Sequence, residues 1–180
     1  SPAGTHRVAH DDEGGFVIDM GAPRFAPVDI PLAGFLQAQD DYVVQLAHAE
    51  RIEYLRFGAV SMGNPHALIE VADVDAADVA RIGPALQRHA AFPASVNVGF
   101  AQILSPKHIK LRVYERGAGE TLACGSGACA AVAALITLGK LEAHVQVSLP
   151  GGDLQIEWTD KTAPIRMTGP AAFVFEGEWL

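Results

Sequence analysis

Glu115-Arg116-Gly117-Ala118-Gly119-Glu120-Thr121-Leu122-Ala123-Cys124-Gly125-Ser126-Gly127-Ala128-Cys129-Ala130 is the stretch around which this 180-residue chain is organised. A charged, glycine-rich loop runs into a thiol, and the thiol opens an alanine-rich helical run. The backbone N–H groups of a helix's first turn have no intrahelical partners, and the aligned peptide dipoles add partial positive charge there. A cysteine at that position has its thiolate favoured. The small residues Gly125, Ser126, Gly127 and Ala128 leave those amides open to an anionic ligand such as a carboxylate. The spacing predicts a helix over 125–138. Ala128, Ala131, Val132, Leu135, Ile136 and Leu138 make it apolar nearly all round, the mark of a buried helix. Gly139 is placed to cap its C-terminus.

On either side of this helix the chain reads as strands. Val96 to Leu104 and Ile109 to Glu115 alternate with period two, separated by Ser105-Pro106-Lys107. After the helix, strands are expected at 145–149, 154–158, 165–168 and 173–176, with Pro150-Gly151-Gly152-Asp153 as a hairpin turn. Upstream, the candidates are 42–46, 52–60 and 67–71. Asp78 to His89 has helical spacing, with Val79, Ile82 and Leu86 on one side, although Gly83-Pro84 weakens it because proline removes a hydrogen bond. Residues 1–24 read as a short extended piece, and Pro23 and Pro27 mark a connector. The sum is an α+β chain of many antiparallel strands and one central buried helix.

Hydrophobic residues make up 49% and charged ones 19%, a globular composition. The net charge is −8 with no Lys/Arg cluster, which argues against nucleic-acid or membrane-surface binding. No apolar run approaches the roughly 20 residues of a membrane span. The opening Ser-Pro-Ala-Gly-Thr has neither an initiator Met nor the apolar core of a signal peptide, and reads as a processed, tagged or excised chain. The two cysteines, Cys124 and Cys129, lie five helical positions apart, so their side chains leave the axis about 140° apart and are not expected to bond. Cys129 reads as a small buried hydrophobe and Cys124 as the reactive thiol. Metal binding is not expected, since the C-x2–4-C spacing and paired histidines are missing. Nor is Gly117-Ala118-Gly119-Glu120 a phosphate loop, which requires a lysine and a Ser/Thr tail.

Three further groups of residues carry candidate chemistry beside a plainer alternative. Gly63-Asn64-Pro65-His66 is either only a β-turn or a site where Asn64 offers an amide to a ligand and His66 a titratable ring. Asn97 stands in an apolar strand, so it either faces solvent or finds a partner in a cleft. Glu115-Arg116 is either a surface pair or a carboxylate near the thiol with a guanidinium or its backbone near a substrate anion. A carboxylate beside Cys124 either accepts its proton or raises the thiol pKa by like-charge repulsion.

Taken together, Gly63-Asn64-Pro65-His66, Asn97 and the run from Glu115 to Ala130 resemble the diaminopimelate epimerase family, and the resemblance extends across nearly the whole chain. It implies interconversion of LL- and meso-diaminopimelate, in the bacterial route to lysine and cell-wall peptide, without pyridoxal phosphate, metal or other cofactor. Two cysteines flank the substrate α-carbon in such enzymes. One takes the proton as a thiolate and the other donates to the opposite face as a thiol. The implied fold is two similar halves, each a mostly antiparallel sheet wrapped around a central buried helix with a cysteine at its start. By resemblance, Cys124 is the catalytic cysteine of the second half, Glu115 the acid that modulates it, and His66 the histidine paired with the opposite cysteine. Asn64, Asn97, Glu115, Arg116, Gly125 and Ser126 resemble the substrate-contacting set. The resemblance also implies a cytoplasmic enzyme, a homodimer when intact, acting on a small amino acid.

The family's first-half cysteine motif is absent, and Cys129 cannot replace it from the same helix. Residues 25–169 are therefore expected to form the C-terminal domain. Residues 1–24 are expected to be a remnant of the first domain with its connector, and residues 170–180 a closing strand belonging to that domain. Phe16–Met20 and Phe173–Glu176 are expected to be strands without sheet partners, and the chain alone is expected to be inactive. Two other readings are a related two-thiol racemase or isomerase of the proline racemase kind, and a non-catalytic interaction domain in which Cys124 is merely buried.

Overall fold

The computed structural model describes residues 8–10, 15–48, 51–171 and 175–178. The first strands in chain order are β1 (Val8–His10), β2 (Phe16–Asp19), β3 (Tyr42–His48), β4 (Arg51–Ser61) and β5 (Pro65–Glu70). Helix α1 (Val79–Gln87) leads to β6 (Asn97–Ser105), β7 (His108–Glu115) and β8 (Gly119–Thr121). Helix α2 (Gly125–Thr137) leads to β9 (His144–Leu149), β10 (Gly152–Glu157) and β11 (Arg166–Gly169). The sheet order is β1-β2-β11-β10-β9-β7-β6-β5-β4-β3, with β8 pairing on β7.

The pairing is antiparallel except at two places, β5 with β6 and β7 with β9. Each parallel pair needs a crossover, and each crossover carries a helix, α1 between β5 and β6 and α2 between β7 and β9. Both crossovers step the same way across the sheet, but β6 and β7 are antiparallel, so the two parallel pairs run in opposite directions. Crossovers of one hand then put their helices on opposite faces. The packing agrees. Val60, Leu68, Ala101, Leu111 and Val113 share a core with α2. Ala59, Ala67, Ile69, Val98 and Phe100, from the alternate positions, share the other core with Val79 and Leu86 of α1.

Helix α2 is buried from Gly127 through Leu135 and packs on β4, β5, β6 and β10. It ends where the sequence indicates, with Leu138 at the C-cap and Gly139 at φ +71°. Helix α1 tolerates Pro84 within it. Gly83 has a steric reason to be glycine: a Cβ there would lie 2.5 Å from Cγ of Tyr114 on β7. In the β9–β10 hairpin, Leu149 pairs with Gly152, leaving Pro150-Gly151 as the turn. The Gly151 amide donates to the Leu122 carbonyl at 2.7 Å, which ties this turn to the segment just before Cys124.

Two expectations are corrected. Phe16–Asp19 is not an orphan strand, because β2 is paired on both sides, with β1 and with β11. The Met20 amide to Ile165 carbonyl bond (2.9 Å) and the Ile165 amide to Gly21 carbonyl bond (3.0 Å) extend the second ladder. No strand forms at Phe175 or Glu176, and the rest of that expected strand, residues 173 and 174, lies outside the described residues. β8 was not anticipated. It arises because Gly117 (φ +81°) and Gly119 (φ +83°) turn the chain back onto β7. Among the described residues no helix is long and apolar enough to cross a membrane.

Candidate active site

Cys124 occupies the N-cap of α2, with extended backbone (φ −145°, ψ 100°) and no side-chain capping bond. The first helical hydrogen bond runs from the Ala128 amide to the Cys124 carbonyl at 2.9 Å, so the amides before it have no partner in the helix. Two glycines here are closely packed. A Cβ at Gly127 would lie 3.1 Å from the Cys124 sulfur, and one at Gly125 would lie 3.0 Å from Sδ of Met167.

Cys124 is buried, at 6% exposure, and burial dominates its titration. Burial pushes the Cys124 thiol up to about 11, against the pull of the Gly127 amide and the Ser126 hydroxyl, while the Glu115 carboxylate adds to the rise. The sequence leaves the net direction open between the helix-end groups and the nearby carboxylate, and burial decides it. The helix-end groups act in the predicted direction, and desolvation outweighs them.

Around the sulfur the structure gathers the side chains singled out in the sequence. Ser126 Oγ lies 3.8 Å from Cys124 Sγ. Asn64 Nδ2 donates to Ser126 Oγ at 3.4 Å, and Asn64 Oδ1 is 3.0 Å from His66 Nε2. The Asn64 segment is also a turn, with Gly63 at φ +89° and the Met62 amide donating to the Asn64 carbonyl. His66 is 3% exposed; burial, and then the Arg116 charge, hold its ring down to about 4. It is therefore neutral at physiological pH.

Asn97 pairs with His66 across the parallel β5–β6 ladder and is itself 3% exposed. Its Nδ2 donates to the Pro65 carbonyl at 3.0 Å, and its Oδ1 accepts from the Arg116 amide at 2.9 Å. The solvent-facing alternative for Asn97 is thus overturned: the side chain clamps the start of β5 to the end of β7. Arg116 turns its guanidinium outward, where Nη1 donates to the Ala94 carbonyl at 2.9 Å. Glu115 is half-buried and accepts from Thr121 Oγ1 at 2.5 Å.

Thr121 is the site residue that sequence reasoning missed. The signal was present, since the two positive-φ glycines of the Gly117–Gly119 turn return Thr121 alongside β7. Cys129 is fully buried and unpaired, with its thiol pushed up to about 12 by burial, and both cysteines are free thiols. Among the described residues no cluster of His, Cys, Asp and Glu is arranged to hold a metal ion.

The fold is that of the proline racemase and PhzF-type proteins. It matches a probable proline racemase from Agrobacterium radiobacter K84 with a TM-score of 0.59 at 16% identity, over 93% of this chain and 55% of that one. It also matches a PhzF-family phenazine biosynthesis protein of Bacillus anthracis with a TM-score of 0.58 at 17% identity, over 97% of this chain and 64% of that one. Within that class, the chain belongs to the diaminopimelate epimerase family, whose model matches residues 58–174. It is 58% identical over 179 residues to the diaminopimelate epimerase of Xanthomonas campestris pv. campestris and 52% identical to that of Xylella fastidiosa strain M12. In each case the match covers 99% of this chain but 62% of the relative's length.

Proposed function

We propose that this chain forms one catalytic half of a diaminopimelate epimerase. The whole enzyme would interconvert the LL and meso forms by moving the α-proton between two cysteines, without a cofactor. The observation that carries this reading is the Cys124 sulfur at the mouth of α2, 3.8 Å from the Ser126 hydroxyl and within the electrostatic reach of the Gly127 amide and the Glu115 charge. A stereocentre is inverted by an acid on one face and a base on the other, because a single group cannot reach both. With its thiol pushed up to about 11, Cys124 enters as the protonated partner, the donor. The free amides at the start of α2 suit the substrate α-carboxylate and part of the carbanion charge. Asn64, Asn97, Arg116, Gly125 and Ser126 would hold the substrate. His66 and Glu115 would serve the thiols, His66 on the side of the partner cysteine.

On this reading residues 25–169 are the second domain, one sheet wrapped around a central helix. Residues 1–24 and 170–180 belong with the first domain, which brings the other thiol. The intact enzyme would be a cytoplasmic homodimer. The test is α-proton exchange in deuterated water with diaminopimelate. The full-length protein should exchange the proton, whereas the 180-residue chain should not exceed its own Cys124→Ala control. Exchange with proline instead would favour the racemase reading, which the shared fold alone supports.

A further inference from the structure

His66, Asn64, Ser126 and Cys124 form one continuous polar chain from β5 to the start of α2. Its links are Nε2 to Oδ1 at 3.0 Å, Nδ2 to Oγ at 3.4 Å and Oγ to Sγ at 3.8 Å. The amide in the middle gives the chain a direction. Its nitrogen only donates and its oxygen only accepts. With Nδ2 donating to Ser126, Oδ1 faces the imidazole, and the facing ring nitrogen must carry the hydrogen. The Ser126 oxygen, having accepted from Asn64, has its own hydrogen free to reach the sulfur. When it does, every donor points from the histidine toward Cys124, the arrangement that stabilises the thiolate left once this thiol has given up its proton.

We infer that Asn64 is a positioning residue that locks His66 in the Nε2–H tautomer, leaving Nδ1 as its basic atom, and that Asn64 simultaneously turns the Ser126 hydroxyl toward the Cys124 sulfur. Among the described residues Nδ1 has no hydrogen-bond partner, so the lone pair that this tautomer creates is not consumed within the chain. The ring's neutrality, caused by burial and then by the Arg116 charge, makes the tautomer matter, because a doubly protonated ring would have none. Asn64 thereby links the two ends of the site, the histidine that serves one thiol and the hydroxyl that serves the other. The chemical role of that link rests on the epimerase reading. The tautomer itself does not, and it is measured without turnover.

The experiment is a long-range proton–nitrogen correlation spectrum of the 180-residue chain labelled with ¹⁵N-histidine, with the His66 ring assigned by its loss in His66→Gln. The expected result is a protonated Nε2 and an unprotonated Nδ1 near neutral pH. Asn64→Ala should release the lock and give a mixture of tautomers. Ser126→Ala should leave the tautomer intact while slowing iodoacetamide alkylation of Cys124 by about three- to tenfold, the value of one hydrogen bond to the thiolate. An Nδ1–H tautomer in the wild-type chain overturns the inference, whatever the variants do. So does an unchanged tautomer ratio in a folded Asn64→Ala chain. An unchanged alkylation rate in Ser126→Ala removes the link to the sulfur. Absence of epimerase activity from the full-length protein with the expected spectrum would sink the functional reading and leave the tautomer lock standing.

Discussion

Cys124 and Cys129 sit at the mouth and in the interior of the same helix, and burial alone does not tell them apart. Their exposures are 6% and 0%, and burial pushes both thiols up, to about 11 and about 12. The difference lies in what reaches each sulfur. At the mouth, a hydroxyl, an unpaired amide and a carboxylate surround Cys124. Both cysteines belong to the apolar core that α2 shares with the sheet, and Cys129 lies fully inside it. On the proposed reading, the reactive thiol is the one with polar partners arranged around it, and not the one with greater access to water.

The sharpest way to break this comparison is catalysis by the full-length enzyme. Cys124→Ala should lower α-proton exchange by about 10³-fold or more, the scale of losing one of two acid–base groups, whereas Cys129→Ala should leave it within about threefold. Comparable losses would erase the distinction. Next in size is alkylation of the native 180-residue chain, followed by mass spectrometry of its peptides. Cys124 should label about 100-fold faster than Cys129, which reacts only when the core opens, and its rate should climb with pH toward about 11.

Stability gives a smaller, opposite asymmetry. Cys129→Ser buries a hydroxyl in the apolar core and should cost about 2 kcal/mol in urea unfolding. Cys124→Ser should cost less than about 1 kcal/mol, since its hydroxyl inherits the Ser126 and Gly127 partners. The pH dependence follows from the raised thiols. Both folded-state values lie above the ordinary 9.0, so the stability linked to them is complete below pH 9 and is lost as pH rises toward 11 for Cys124 and 12 for Cys129. Cys129→Ala should therefore flatten the alkaline limb of the stability curve more than Cys124→Ala does. The smallest effect belongs to the partner of Glu115. Thr121→Val should reduce turnover of the full-length enzyme about fivefold by releasing the carboxylate, and Thr121→Ser should restore most of it.

How much of this could be read in advance depended on whether the cause was local. Helix α2, its capping glycine and the β9–β10 turn depend on residue type at fixed offsets, and all three stand where the sequence puts them. The pairing of β2 with β11 joins segments some 150 residues apart, and no local pattern announces it. At the site, the identities of Asn64, His66, Asn97, Glu115 and Ser126 were legible, but their partners were not. Asn97 is legible as a polar residue in an apolar strand, but that it bonds the Pro65 carbonyl and the Arg116 amide depends on how β5 and β7 close around it. The sign of the Cys124 shift was likewise hidden. The helix amides are visible in the sequence, whereas the burial that outweighs them exists only once the chain has folded.

The close fit of Gly83 against Tyr114 gears the far side of the sheet to the chemistry. Tyr114 is the residue before Glu115, so helix α1, which never meets the sulfur, helps set where the carboxylate stands. Even one added methyl at position 83 would have to be absorbed by that tyrosine or by the strand carrying it. On the proposed reading, a bulkier side chain at position 83 would therefore be felt at Glu115 as well as in folding, although helix α1 lies on the other face of the sheet from α2.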